Sequence, residues 1–155
     1  MPGMRAQVYI YESERKAIIA ATREFPDDET GGDLFGTFTH GGMPVIWLAS
    51  GPGPKVRRNR VHFEQDSDFT THWERRLKQE FGLQYIGSWH SHHRLGLREP
   101  SSGDREAARS YARNHNRQRT LEIIVTYEGN QTHLWPYFYS NAQEESWVDS
   151  EFVFS

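Results

Sequence analysis

Leu83-Gln84-Tyr85-Ile86-Gly87-Ser88-Trp89-His90-Ser91-His92 is an apolar run closed by two histidines, and eight residues further on Ser101-Ser102-Gly103-Asp104 opens a second, amphipathic run. Leu83, Tyr85, Ile86 and Trp89 give the first run strand character, and Ser102 to about Asn116 reads as a helix. Residues two apart on a strand share a face, so the imidazoles of His90 and His92 are aimed at one spot. Asp104, in the first turn of the next helix, is returned by the loop His93 to Pro100 to add a carboxylate. Two neutral imidazoles and one carboxylate make a three-ligand zinc site whose fourth position is left to water. The same residues also admit plainer roles. Strand ends often carry polar residues, and a serine followed three residues later by an acid is the capping-box arrangement, which either Ser101 or Ser102 can serve.

Working outward, Arg5 to Tyr11 reads as a strand and Glu14 to Glu24 as a helix capped by Ser13, with Ile18, Ile19 and Thr22 as its buried stripe. Glu29 to Thr39 is expected to be a strand, His40-Gly41-Gly42 a hairpin turn, and Pro44 to Ala49 a strand buried on both faces because Val45, Ile46, Trp47 and Leu48 are continuously apolar. A basic loop with Arg57, Arg58 and Arg60 leads to a short strand, Val61 to Glu64, and then to a helix from Asp68 to Phe81 stopped by Gly82. Leu121 to Tyr127 and Thr132 to Tyr139 flank Gly129-Asn130 as a hairpin, and Trp147 to Phe154 is expected at a sheet edge. Helices and strands mix without strict alternation, which predicts an α+β architecture: a mixed, largely antiparallel curved sheet flanked by two or three helices.

The 155 residues suffice for one core and are read as a single domain, residues 1–155. With 18 basic against 21 acidic side chains, the net charge of −3 gives the chain as a whole no attraction to nucleic acid or to an anionic membrane. Cysteine is absent, which excludes a disulfide framework and thiolate-ligated zinc. Met1 to Arg5 form no apolar signal core and no stretch has the length of a membrane span, so a cytoplasmic location is expected.

His90-Ser91-His92, the loop, and Pro100-Ser101-Ser102-Gly103-Asp104 resemble the signature of the JAMM (JAB1/MPN/Mov34) metallopeptidases, a His-x-His, a spacer and Ser-x-x-Asp. A second match lies upstream, where Glu29-Thr30-Gly31-Gly32-Asp33-Leu34-Phe35-Gly36 looks like that family's glutamate strand. The likeness spans roughly Ala6 to Tyr127 and is closest to the stand-alone prokaryotic members. The spacer, His93 to Pro100, is one residue longer than the family's usual one, and His93 stands where proline is common.

The resemblance implies an MPN/JAB-like, cytidine-deaminase-like layout and one Zn2+ per chain on His90, His92 and Asp104. It further implies Glu29 as general base to a zinc-activated water, and Ser101 as an oxyanion donor. The implied substrate is a ubiquitin-like protein or its conjugate, cut after the terminal glycine in deconjugation or precursor processing, with an associated ubiquitin-like conjugation system as partner. Without family context Glu29 is simply an acid beside Asp27 and Asp28. His93 is read as a neighbour of the ligands or of the substrate path, and Arg57, Arg58 and Arg60 as either a solvated loop or a contact to a protein substrate. The alternative reading, a non-catalytic MPN-type scaffold, is weighed against by the intact Glu29, His90, His92 and Asp104.

Overall fold

A computed structural model describes residues 6–53, 57–58, 63–64, 66–92, 104–106, 110, 119–140 and 148–154. Strand β1 (Ala6–Ile10) runs into helix α1 (Glu12–Glu24), followed by β2 (Gly31–Phe38) and β3 (Pro44–Ala49). A small pair, β4 (Arg57–Arg58) and β5 (Phe63–Glu64), precedes α2 (Ser67–Phe81) and β6 (Gln84–His92). Residues 104–106 are helical, and β7 (Arg119–Glu128), β8 (Gln131–Ser140) and β9 (Val148–Phe154) complete the order.

Seven strands close on themselves in the order β1-β3-β2-β6-β7-β8-β9, with β9 returning to β1, while β4 and β5 pair separately. The fold is thus α+β with a mixed, curved sheet, the curvature carried to closure. Pairings β2 with β3, β2 with β6, β7 with β8 and β8 with β9 are antiparallel; β1 with β3, β1 with β9 and β6 with β7 are parallel. The core gathers strand residues Val8, Ile10, Leu34, Ile46, Trp89 and Ile123, each at most 1% exposed, together with Ile18 of α1.

Three expectations need correction. The C-terminal strand is no edge: β9 pairs with β1 over Ala6 to Ile10 and with β8 at Tyr137 and Phe138, which seals the barrel. Helix α1 starts two residues early, at Glu12, with Tyr11 as an N-cap that makes no side-chain capping bond. Ser13 lies inside the first turn and its hydroxyl donates to Glu14 instead, while Glu12 and Glu14 put negative charge at the positive helix end. Strand β3 is not buried on both faces, since Trp47 is 45% exposed. The indole is held outside by a tilted stack on Tyr11 and by donating Nε1–H to the Thr37 hydroxyl, so an apolar run here does not mean a two-sided core.

Helix α2 starts one residue before the expected Asp68 and stops at Gly82 as expected. Asp66 caps it by accepting from the Phe69 amide at 3.2 Å, and Gly82, with φ 68°, ends it in the left-handed conformation that glycine adopts without a Cβ clash. It lays Leu77 over Phe35 and Tyr85, clamping β2 to β6 from outside. The clamp matters because β2 and β6 carry the residues of the site. Gly31 pairs with His90 and Gly32 with Trp89, so the segment that begins at Glu29 is led past the histidine strand in a fixed register.

Candidate metal centre

The C-terminal end of β6 sets His90 and His92 on one face, and both residues are buried, at 8% and 9% exposure. Their ring centroids are 4.7 Å apart and their Nε2 atoms 2.8 Å apart. Asp104, at the start of the helical residues 104–106, brings Oδ2 to 3.1 Å from His90 Nε2 and 3.4 Å from His92 Nε2. Among the described residues these three form a group whose ligand atoms all lie within 4.8 Å of one another.

The donor set fits a divalent metal. Two imidazole nitrogens at contact distance cannot both face each other as lone pairs without a proton or a cation between them. Both also point at one carboxylate oxygen, so bare nitrogens and carboxylate converge on a single spot as metal ligands do. Without a metal, a proton takes that role. Burial by itself lowers the His90 pKa, but hydrogen bonds to Asp104 and Glu122 and the charges of both carboxylates overcome it and push the imidazole up to about 10.

Behind the ligands lies a residue that sequence reasoning missed. Glu122, on β7, sets Oε1 3.1 Å from His90 Nδ1, on the side of the ring away from Asp104. It is 5% exposed, and its other oxygen accepts from the Tyr139 hydroxyl at 3.5 Å. Burial, aided by the Glu122 charge, holds the Tyr139 phenol well above its ordinary pKa, so the hydroxyl remains a donor.

Glu29 is half-buried and immediately precedes Thr30, which is tied to the residue between the two histidines. The Ser91 amide donates to the Thr30 carbonyl at 2.8 Å, and the Thr30 amide donates to Ser91 Oγ at 3.0 Å. This reciprocal pairing continues the β2–β6 ladder one residue beyond Gly31 and His90, and so fixes where Glu29 leaves the sheet. Ser101, Ser102, His93 and Arg60 lie outside the described residues, as do His62 and His115. His40, His72 and His133 are exposed, in keeping with surface roles. Arg57 and Arg58 form β4.

Residues 12–147 match the family described as prokaryotic homologs of the JAB domain. The chain belongs to this family. A probable metalloprotease of Sinorhizobium fredii, y4qB, is 25% identical over 136 residues, which cover 84% of this chain and 80% of that protein. The solution structure of DSY2949 from Desulfitobacterium hafniense aligns with a TM-score of 0.71 over 96% of this chain and 92% of that one, and at 14% identity the likeness is one of fold. Family membership and the converging ligand set make the chain a metal-dependent peptidase at the level of the family. No described helix is long and apolar enough to cross a membrane.

Proposed function

We propose that this chain is a zinc-dependent peptidase or isopeptidase that cuts after the C-terminal glycine of a ubiquitin-like protein, releasing it from a conjugate or a precursor in the cytoplasm. The observation that carries the reading is the convergence of His90 Nε2, His92 Nε2 and Asp104 Oδ2 beside the Thr30–Ser91 pairing that anchors Glu29. Two imidazoles and a carboxylate, with no thiolate in the chain, are a ligand set that catalytic zinc commonly uses. A zinc ion bound there supplies Lewis-acid chemistry and makes water a nucleophile near neutral pH. Glu29 takes the proton from the attacking water and returns it to the departing amine. The Ser101 hydroxyl donates to the oxyanion as charge builds on the former carbonyl oxygen.

Substrate choice rests on shape. The barrel strands pair on both sides, whereas β4 and β5 pair only with each other among the described residues, leaving main-chain edges on which an extended tail can add as a strand. Glycine at the scissile position lets the tail approach the ligands without a side chain in the way. Contacts from the modifier's folded body, including those to Arg57, Arg58 and Arg60, then hold the tail in register.

The test is cleavage of ubiquitin-like proteins bearing a C-terminal extension, with and without a chelator, compared with the isolated tail peptide. The fusion is expected to be cut after its terminal glycine, with kcat/KM at least roughly tenfold above that of the peptide, and the chelator to abolish both. Glu29→Gln should keep the metal and lose about 10²- to 10⁴-fold in turnover. Equal kcat/KM for fusion and peptide would leave a general metallopeptidase in place of a modifier-specific one.

A further inference from the structure

We infer that Glu122 is a positioning residue of the metal centre, fixing His90 in the tautomer that presents a bare Nε2 to the metal and strengthening that nitrogen as a donor. The inference rests on the metal reading above and extends it to a residue in neither half of the His-x-His, Ser-x-x-Asp signature. A neutral imidazole carries one N–H, and whichever nitrogen binds a metal must be the other one. His90 Nε2 is the nitrogen turned toward Asp104 and His92, so the hydrogen belongs on Nδ1. Glu122 Oε1 stands 3.1 Å from that atom. A carboxylate accepting there locks the ring's rotation and raises the basicity of the far nitrogen.

The surroundings of Glu122 argue for this role. The parallel register sets Glu122 beside Ser88, two residues before His90, and Ile124 beside His90 itself. Its chain neighbours Leu121 and Ile123 are fully buried in the barrel core, and Glu122 itself is buried on the opposite face of the strand. A carboxylate in such a place is costly unless it is paired, and its contacts are His90 Nδ1 on one oxygen and the Tyr139 hydroxyl on the other. The Tyr139 contact aims the carboxylate as the carboxylate aims the imidazole, so three buried side chains in a row end at the metal ligand.

The experiment measures zinc affinity by competition against a chromophoric chelator, and the His90 tautomer by long-range ¹H–¹⁵N spectra of the zinc-loaded protein. Glu122→Gln keeps the size of the side chain and removes the charge, and is expected to weaken zinc binding roughly 10- to 100-fold. Glu122→Leu, which removes the acceptor as well, should weaken it at least as much, while Glu128→Gln at the exposed end of the same strand should leave it unchanged. The unsubstituted protein should show His90 protonated at Nδ1. A proton on Nε2 in the loaded protein, or an affinity within twofold of the original in folded Glu122→Gln, overturns the inference. Failure of the unsubstituted protein to bind zinc would instead strike the metal reading itself.

Discussion

Gly32→Ala tests how the glutamate segment is seated against the barrel. A Cβ at residue 32 would lie 1.8 Å from the Ser50 carbonyl oxygen and 2.8 Å from Trp89 Nε1. Neither neighbour is free to retreat. The Ser50 amide donates to the Asp33 carbonyl at 2.9 Å, Ser50 Oγ accepts from the Asp33 amide at 3.2 Å, and the Ser50 carbonyl accepts from Trp89 Nε1–H at 2.9 Å. Trp89 is 1% exposed and packed in the core. Overpacking of this kind costs about 1–3 kcal/mol. Parting the indole N–H from its acceptor adds about 1–3 kcal/mol for a buried polar group left unpaired. The expected loss is therefore roughly 2–6 kcal/mol, a large share of a native stability of about 5–15 kcal/mol. Urea denaturation reads it directly, and in a thermal melt it should appear as a fall of roughly 4–24 °C. Gly51→Ala is the matched control, because a Cβ at 51 meets nothing within 4 Å, and it should stay within about 0.5 kcal/mol of the original. Gly32 pairs with Trp89, the residue before His90, so zinc affinity should fall along with stability. If Gly32→Ala is no more destabilising than Gly51→Ala, the close-approach reasoning is wrong.

Three further outcomes are expected. Ser91→Ala leaves the buried Thr30 amide without the Ser91 hydroxyl, which should cost about 1–3 kcal/mol and lower turnover while the bound metal remains, as read by denaturation and elemental analysis. Asp104→Ala should empty the site to well below one metal per chain, and full occupancy in that variant would remove Asp104 from the ligand set. In metal-free protein the raised His90 pKa contributes stability in full below the ordinary imidazole value of 6.5, and that contribution is lost as pH rises through about 10. Denaturation of chelator-treated protein should show stability falling over that window, and calorimetry in buffers of different ionisation enthalpy should show proton release on metal binding. A metal-free protein that gains stability from His90 across the same range would contradict this.

Much of this was legible in the sequence because local rules fixed it. The two histidines share a face through the period of a strand, and Gly82 and Gly129 end a helix and turn a hairpin at positive φ. The glycines of the glutamate segment have a physical meaning that a motif match does not reveal: Cβ atoms at Gly32 and Gly36 would collide with the Ser50 and Val45 carbonyls, so at these two positions the neighbouring backbone comes too close for a side chain. What stayed illegible depended on partners far away in sequence. Closure by β9 needs parallel pairing between the two ends of the described chain, Ala6 with Ser150 through Ile10 with Phe154, and no local pattern announces it. The exposed Trp47 depends on Tyr11 and Thr37 from other elements.

Strand β7 shows why Glu122 escaped a reading by alternation. Leu121, Ile123 and Val125 form one apolar face and Thr120, Glu122 and Thr126 share the other with Ile124, a polar set that suggests a wet face, yet all seven residues are buried. On that second face Glu122 meets His90 and Thr126 accepts from the Trp135 indole, so these two polar groups are spent on protein partners in place of water. Alternation reports which residues differ in polarity, and only the neighbouring strand's register decides whether the polar set faces solvent or a site. The usable signal was narrower: a single acid amid β-branched and apolar residues, beside a strand that already carried two metal-ligating histidines. A charge in that position needs a partner, and the partner it finds is a ligand of the metal centre.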